Sequence, residues 1–554
     1  MKTRFKLEIL NVFLGLAAFV TPLFAQSPIV SVTVKNLETF GDKLPAVAED
    51  LGDNVLAHGS AAFKSVISDK GFTEVIDTTA PIGVFLFPNG KKEPPIAVAV
   101  VPVKDAEKGI ERIPGKYFAT KKTGDNTWKV AAKKEHDGKK FVARIDRQGN
   151  WCFIQDDKTN VSVADCGENL VKMLTAPMEA DFQVKLFPNA IPQNDRKEIV
   201  THVIGKARKC LEKKGEKKFG KDLTGRFLNE LEELRSEAEK YKWESPVSQA
   251  SNSYTWDKGG KKLVIRNSFT GCPNLSPIQD LNAAVSANSS ALAGFGSEGT
   301  LGFYHVNAQI AGLNDPVIDE LMAVHRNRFI KKVQCKAGEE TAKEIADWLN
   351  ENHPLFRQAF AGSEQEYAVA MYAEPEKKFT IIFARSVPDG YALEKTFCEA
   401  AKYVCEKKGE KCKGHVKNGK RTEEGELHVF QADFVPKKQC CEMKKLFPET
   451  VPGCVIFAPK AVYWAVGTDA ADTLVQNIQA SKNADAPAFA LSISLQKVLK
   501  VCDKAKKVSD EQKAKLGEIG DANVTVQVNA LGNGTEIVTE VPVQVFQAIK
   551  VLHP

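Results

Sequence analysis

The chain has 554 residues, long enough for about two to four domains, and its 43% hydrophobic content excludes disorder on the scale of a domain. Charged residues make up 26% and the formal net charge is +6, too close to neutral for this length to predict nucleic acid or another polyanion as a partner. We therefore expect a folded protein of more than one domain that does not bind nucleic acid.

Residues 1–25 have the features of a secretory signal peptide. Lys2, Arg4 and Lys6 form a positively charged start, residues 9–20 form a short apolar run, and cleavage is expected near Ala25. Retention of this run as a membrane anchor is the alternative, but the run is too short to span a bilayer comfortably. No later stretch has ~18 consecutive apolar residues. The mature chain is therefore expected to be exported, to the periplasm or the extracellular space, without a transmembrane span.

The first half of the mature chain is predicted to alternate strands, hairpins and helices. An Asn-Gly turn lies between two β-rich runs, 82–87 and 96–101, and Asp105 precedes a helical pattern. The expected order begins with a strand and helix at residues 27–44, this hairpin and its helix at 82–113, and a second hairpin and helix at 140–174. A strand and helix at 180–191 come next. A charged helical stretch at 195–242, interrupted near Gly215 and Gly220, and a closing hairpin at 252–269 follow.

The second half repeats this order of elements. It has a strand and helix at residues 300–325, a hairpin followed by Pro, Asp and a helix at 367–397, and two strands and a short helix at 453–478. A strand and helix at 487–499, a shorter charged stretch at 503–519 and a closing hairpin at 523–541 complete it. Because the order agrees over most of each half, we expect an internal duplication. A coincidence between two ordinary α+β domains is the alternative.

The fold class predicted from this pattern is α+β, with two similar lobes, each a mainly antiparallel sheet covered by helices. Hairpins dominate both halves, and hairpins join antiparallel strands. The predicted divisions are a signal peptide, a first lobe, a Gly/Ser-rich seam and a second lobe, at residues 1–25, 26–284, 285–299 and 300–554.

Two recurring patterns carry a resemblance to known proteins. One is an apolar strand followed by Pro, Asp and a helix, and the other is a strand with Trp or Tyr followed by Asp and a helix, at residues 96–105, 379–389, 149–157 and 462–469. These patterns resemble a loose class of exported bacterial envelope proteins built of duplicated strand-hairpin-helix lobes. The resemblance implies an envelope location and this architecture, and it transfers no catalytic residue.

A literal G-x-G-x-x-G is formed by Gly294, Gly296 and Gly299. A dinucleotide site needs a strand before the first glycine and a helix after the last, so that the helix N-terminus faces the pyrophosphate. Here the preceding residues are small and polar, and the following residues have β character. We therefore predict no cofactor and interpret the glycines as backbone freedom at the seam between the lobes.

Other motifs of catalysis are missing from the sequence. It contains no P-loop, H-E-x-x-H, G-x-S-x-G or C-x-x-C, and its nine histidines are scattered. A Cys/His metal site around Cys405, Cys412, His415 and His428 matches no standard zinc spacing, so no metal and no catalytic residue is predicted. The basic run at 206–221 is interpreted as a solvated helical face, and contact with an anionic polymer or lipid surface is the alternative.

Twelve cysteines in an exported chain favour disulfides over thiolate ligands. Pairing of Cys152 with Cys166, and of Cys210 with Cys272, is suggested for the first half. Cys398 and Cys405 are about 10.5 Å apart along a helix, too far to pair with each other. The natural partners for them are Cys440 and Cys441.

We expect an exported protein without catalytic machinery, with a binding or structural role exerted through a sheet face or the cleft between the lobes. An envelope protein, a lipid or a polymer is the expected partner. A secreted hydrolase, with a site assembled from distant segments, is the alternative.

Overall fold

A computed structural model confirms the α+β class: of the residues that the structure describes, 41% are helical and 39% are in strands, and the pairings between these strands are antiparallel. The structure describes residues 27–51, 54–89, 95–113, 118–134, 142–158, 161–245, 247–271, 285, 290–296, 299–309, 323–324, 326–331, 334, 338–354, 364–374, 378–408, 416–434, 450–502, 509–520, 522–532 and 534–552. The chain forms two compact units, Met1–Ala207 with Leu231–Leu275 and Arg208–Glu230 with Ser276–Pro554.

In its described residues the first unit has ten strands. They are β1 Val30–Val34, β2 Ile82–Phe87, β3 Ile96–Pro102, β4 Phe118–Gly124, β5 Thr127–Ala132, β6 Val142–Gln148, β7 Trp151–Asp156, β8 Phe182–Leu186, β9 Val247–Asp257 and β10 Lys262–Gly271. Its helices are α1 Leu37–Leu51, α2 Asn54–Ile67, α3 Lys70–Val75, α4 Ala106–Glu111, α5 Val163–Thr175, residues 193–207 of α6 Gln193–Phe219 and residues 231–240 of α7 Lys221–Lys240. The spatial order of the strands is β4-β5-β6-β7-β3-β2-β1-β8-β9-β10.

The described residues of the second unit have twelve strands. They are β11 Ser290–Ala293, β12 Gly302–Gln309, β13 Glu364–Glu374, β14 Lys378–Ser386, β15 Val416–Glu424, β16 Leu427–Phe434, β17 Val451–Ala458, β18 Ala461–Gly467, β19 Lys482–Ala484, β20 Phe489–Ser494, β21 Asn523–Leu531 and β22 Gly534–Pro542. The helices are α8 Glu339–Glu351, α9 Gly390–Lys408, α10 Ala470–Ala480, α11 Leu495–Cys502, α12 Asp510–Glu518 and α13 Val543–Leu552.

Ten of these strands form a sheet in the order β15-β16-β17-β18-β14-β13-β12-β20-β21-β22, and β11 pairs with β19 separately. The order of the ten equals that of β1 to β10 in the first unit. The registers also agree, since Val100 lies opposite Phe153 in one unit and Ala384 opposite Tyr463 at the same place in the other. This shared topology is the arrangement that a duplication predicts, and descent from one ancestral lobe stays a prediction.

Equivalent helices pack on equivalent sheet faces. In the first unit, Leu170 and Leu174 of α5 are buried against Phe85 and Phe153. In the second, Leu474 of α10 is buried with the core residues of the central strands: Ala368, Ile382, Ala384, Ile456 and Tyr463. Burial of each large side chain contributes about 1.5–3 kcal/mol, so these helices hold one face of each sheet out of water.

An aspartate caps the helix after the first hairpin in each unit, as the sequence pattern predicts. The Asp105 carboxylate accepts from the N–H of Lys108 at the start of α4. The Asp389 carboxylate accepts from the N–H groups of Tyr391 and Ala392 at the start of α9, both at 3.0 Å. A carboxylate at this position satisfies amide donors that have no partner within the helix.

The charged helical stretch is interrupted at one of its two predicted breaks. Gly220 has φ +89° and joins α6 to α7. Gly215 instead lies inside α6, and a Cβ there would approach Cγ2 of Thr224 to 2.7 Å. The glycine at 215 therefore permits close packing of the two helices, whereas the one at 220 permits the turn.

The described residues of the glycine-rich hexapeptide, 294–296 and 299, include a turn at 294–296 that packs into the second unit's core. Phe295 is fully buried, and its ring centroid lies 5.8 Å from that of Tyr463. A Cβ on Gly296 would lie 2.5 Å from Cβ of Ala370. All three glycines have the left-handed backbone that favours this residue, with φ of +84°, +73° and +65° at Gly294, Gly296 and Gly299. The turn is thus anchored by packing, which the interpretation as backbone freedom did not predict.

If this turn is part of the core, Phe295→Ala will lower the free energy of unfolding by about 3–5 kcal/mol, the usual cost of deleting a buried aromatic ring. Phe329→Ala is the control, because Phe329 is exposed. Urea unfolding followed by circular dichroism measures both. Equal, small losses in the two variants would show that residues 294–299 do not pack into the core.

Candidate functional site

Five aromatic side chains lie in one row across five neighbouring strands of the second unit. The antiparallel registers place them on the same face, because residues of one parity on each strand point to the same side. We call this row and its apolar surroundings the aromatic face; its rings, in order across β20, β12, β13, β14 and β18, are Phe489, Tyr304, Tyr367, Phe383 and Trp464.

The rings of the aromatic face contact one another along the whole row. Phe383 and Trp464 are directly opposite in register and stack with centroids 3.8 Å apart and an interplanar angle of 17°. Tyr304 lies 5.7 Å from Tyr367 and 5.2 Å from Phe489. Pairs at these separations stabilise the sheet by about 0.5–1.5 kcal/mol each beyond the area they bury. The row is therefore rigid before any ligand arrives.

The tyrosine hydroxyls in the row bond to each other. Tyr304 Oη lies 3.1 Å from Tyr367 Oη. Burial, together with this hydrogen bond, raises the pKa of Tyr304 to about 12. The Tyr304 hydroxyl is consequently neutral at physiological pH. The two hydroxyls partly satisfy each other, so the row offers mainly hydrocarbon to its surroundings.

Parts of the aromatic face are open to solvent. Trp464 is 38% exposed and Ile493, on the same face of β20, is 39% exposed. At the β17–β18 end, Leu393 of α9 packs on the same face against Phe457 and Val462. The helix thus bounds the face on one side. Arg385, directly opposite Tyr367, is a basic residue within it, and burial lowers the pKa of its guanidinium.

The opposite face of the same strands carries a buried polar cluster. The Glu366 carboxylate accepts from the Ser290 hydroxyl and from the N–H groups of Ala291 and Leu292, at 3.2 and 2.9 Å, and its Oε1 lies 3.4 Å from His305 Nε2. Burial alone would raise the pKa of Glu366, but these hydrogen bonds lower it below its usual value.

This cluster joins β11 to the main sheet. Ser290, His305 and Glu366 have only 0%, 2% and 6% of their surface exposed, and each is hydrogen-bonded to another member of the cluster. Sequence analysis missed it because its members come from three separate strands, and only register brings them together. Its role is to fasten the start of the second unit by charge-assisted hydrogen bonds.

A second carboxylate–histidine pair lies where α9 meets β15 and β16. Glu394 binds Nδ1 of His428, and it also accepts from Nη2 of Arg421 at 2.9 Å. The Tyr391 ring stacks on the imidazole, with centroids 4.6 Å apart. Burial alone would raise the pKa of Glu394, but its bonds to His428 and Arg421 lower it. This is how a carboxylate orients a general base.

In the sequence, His428 belongs to the conceivable Cys/His metal site around Cys405, Cys412 and His415. The structure places it against Glu394 instead, and Cys412 and His415 lie outside the described residues. Among the residues that are described, no group of three or more His, Cys, Asp or Glu side chains is arranged to hold a metal ion.

The structure does not bring Cys152 and Cys166 together, and their suggested pairing stays a prediction. Both thiols are free and buried, but Cys152 packs beside Trp128 on one face of β7, whereas Cys166 packs with Phe153 on the other. Neighbouring strand residues point to opposite faces, so the sheet separates the two sulfurs.

The other disulfide candidates have a different standing. Cys210 and Cys398 are free and exposed. Their suggested partners lie outside the described residues or, for Cys405, have an undescribed side chain: Cys272, Cys405, Cys440 and Cys441. Pairings that involve these residues stay predictions.

Comparison with protein-family models, curated proteins and solved structures gives no match to this chain. Of the helices that the structure describes, none is long and apolar enough to cross a membrane.

Glu366→Gln is expected to lower the free energy of unfolding at pH 7 by about 2–3 kcal/mol, because buried donors lose their charged acceptor. The folded-state pKa of Glu366 is depressed, so its stabilisation is fully present above the unfolded value of about 4.3 and is lost as pH falls through the lower folded-state pKa. The difference between wild type and variant should therefore shrink between pH 7 and pH 3 in urea unfolding. Glu399→Gln, an exposed control on α9, should change little; a pH-independent deficit in Glu366→Gln would contradict this account.

Alkylation of the native protein tests the state of the cysteines. Burial raises the pKa of Cys152 to about 11 and that of Cys454 to about 12, so both should resist iodoacetamide at pH 8. The exposed Cys210 should react at once. In urea without reductant, mass mapping should show Cys152 and Cys166 labelled as well. Labelling of these two only after reduction would show that they form disulfides.

Proposed function

We propose that the protein is an exported, non-enzymatic binding protein and that its aromatic face binds an apolar, lipid-like ligand. The carrying observation is the continuous row of five rings, open to solvent at Trp464. Large exposed apolar patches on proteins mark sites of interaction, since single exposed residues are common but contiguous ones are not.

Three features favour an apolar ligand over a polar polymer. The two tyrosine hydroxyls bond to each other, the rings stand stacked side by side, and Ile493 extends the hydrocarbon surface. A polar polymer would need unpaired donors and acceptors along the row to replace its bonds to water. A lipid-like ligand needs only area, at about 25 cal/mol for each Å² removed from water.

Export is the part of the proposal that depends on the sequence. The positively charged start and the apolar run of residues 1–25 support it, as does the resemblance to envelope proteins. An aqueous compartment beside a membrane is where a lipid-like ligand would require a binding protein.

The hydrolase alternative is supported by one observation, the Glu394–His428 pair, because a carboxylate-oriented imidazole is suited to general-base catalysis. Within the described residues, no hydroxyl or thiol is hydrogen-bonded to His428. Glu394 of α9 instead binds both His428 of β16 and Arg421 of β15, so the three side chains join α9 to the β15–β16 hairpin. This structural role accounts for the pair without catalysis. The aromatic face therefore carries the proposal.

The test is fluorescence titration with the neutral, apolar probe N-phenyl-1-naphthylamine. We expect saturable binding that Trp464→Ala weakens about tenfold, equivalent to ~1.4 kcal/mol, because the probe loses the exposed indole surface. Leu531→Ala is the matched control, since Leu531 is also 38% exposed but lies on the opposite face of the same sheet.

Unchanged affinity in Trp464→Ala, or an equal loss in Leu531→Ala, would exclude the aromatic face as the binding surface. Hydrolysis of a chromogenic ester that is abolished by His428→Ala would instead favour the alternative. Thermal unfolding of each variant is measured alongside, so that a loss of fold is not mistaken for a loss of binding.

A further inference from the structure

Four neighbouring strands of the first unit, β1, β8, β9 and β10, carry polar and basic side chains on one face. Ser31 lies opposite Lys185, Lys185 opposite Ser251, and Ser251 opposite Ser268, which gives one row across the sheet. A second row, two residues along each strand, runs parallel to the first. We call these eight residues the hydroxyl face: Ser31, Thr33, Gln183, Lys185, Ser251, Ser253, Arg266 and Ser268.

The hydroxyl face is largely buried, which is unusual for such a composition. Ser31, Thr33, Ser251 and Ser253 are only 4–8% exposed. Burial of hydroxyl groups costs free energy unless they are hydrogen-bonded. Ser251 Oγ and Ser268 Oγ bond to each other at 2.6 Å, and Ser253 Oγ donates to the Arg266 carbonyl at 3.3 Å.

Lys185 stands in the middle of this face and is half-buried. It forms no hydrogen bond or ion pair within the part of the chain that the structure describes. Burial lowers the pKa of its ammonium, and no neighbouring acid opposes this shift. A desolvated cation with three donors is costly in the folded protein unless an anion accompanies it.

Two carboxylates on this side of the sheet are already engaged. Asp181 lies at the end of the face, where Lys43 contacts it at 2.6 Å and the N–H of Trp256 donates to it at 3.0 Å. Asp257 closes the β9–β10 turn by accepting from the N–H groups of Gly259 and Gly260. The charge of Lys185 is thus not neutralised by either carboxylate.

We propose that the hydroxyl face is a binding site for an oxyanion, a phosphate, sulfate or carboxylate group, with Lys185 as its charged ligand and Ser31 and Ser251 as flanking hydrogen-bond donors. An ammonium with adjacent hydroxyls offers several donors to one cluster of oxygens, and such charge-assisted bonds are about twice as strong as neutral ones. Arg266, opposite Ser253 in the second row, adds positive charge to the same face.

The second unit carries a different set of residues at the equivalent positions. Ser492 takes the place of Lys185, between Phe303 and Thr525, and Glu540 takes the place of Ser268. Thr525 Oγ1 donates to the Glu540 carboxylate at 3.4 Å. A carboxylate here repels an anion, so the site belongs to the first unit alone. The inference is independent of the aromatic face.

Calorimetric titration of the full chain with inorganic phosphate, and separately with dodecyl phosphate, tests the site. The buffer has low ionic strength and pH 7, because salt screens the charge of a half-exposed lysine. We expect Lys185→Met, which keeps the apolar stem and removes the charge, to weaken binding at least tenfold. Lys121→Met, at an exposed lysine of β4, should bind within twofold of wild type.

Thermal unfolding separates this role from a structural one. Without anion, Lys185→Met should be at least as stable as wild type, since it removes an unpaired half-buried charge, and phosphate should raise the Tm of wild type only. Binding of inorganic phosphate identifies a free oxyanion as the ligand, and binding of dodecyl phosphate alone identifies an amphiphile headgroup. The dodecyl chain can also bind the aromatic face, so the oxyanion site is assigned only from the difference in binding between wild type and Lys185→Met. The absence of any such difference with both probes would overturn the proposal.

Discussion

Alternation of side chains across the pleated strands decides what each strand residue of this protein can do. Glu366 and Tyr367 are neighbours in β13, but Glu366 points into the buried cluster that fastens β11, while Tyr367 stands in the aromatic row. A register shift of one residue would exchange the two faces and bury a phenol among donors meant for a carboxylate. The agreement of register from β12 through β18 therefore keeps the buried polar cluster and the aromatic face on opposite sides of the sheet.

The two units use one topology for different surfaces. Where the second unit has Tyr304, Tyr367 and Phe383 in its aromatic row, the first has Val32, Ile82 and Ala99 in the same registers. The hydroxyl face likewise occurs in the first unit and is replaced in the second. Because the residues of both faces sit on strands that the core already fixes, they can be exchanged without a change of fold. If the halves descend from one lobe, they have specialised in opposite directions.

The sequence predicts local structure well wherever backbone chemistry is specific. The Asn-Gly turn and alternating apolar residues predict β2 and β3 to within one residue of their observed bounds. Asp105 and Asp389 mark the starts of α4 and α9 correctly, since a carboxylate satisfies free amide donors there. The prediction omits the β4–β5 hairpin because β4, FATKKTG, is almost wholly exposed and carries no apolar alternation.

The candidate sites could not be predicted in the same way. Phe489 and Tyr304 meet only because β20 pairs with β12, and nothing local in either strand specifies that partner. Cys152 and Cys166 lie apart for the related reason that Cys152 and its neighbour Phe153 point to opposite faces of β7, and Cys166 of α5 packs with Phe153. Long-range pairing is a property of the whole sheet, so single-segment patterns contain no direct record of it.

Glu366 and Lys185 are the informative comparison, because each is a charged residue largely withdrawn from water. The fold surrounds Glu366 with a hydroxyl, an imidazole and two amide donors, and this network explains the carboxylate as part of the architecture. Lys185 is flanked by hydroxyls that can serve as donors to a bound group, and neither nearby carboxylate reaches it. A buried charge that serves stability has its hydrogen-bond and charge partners within the protein. A buried charge without such partners is better explained by a bound ligand that supplies them.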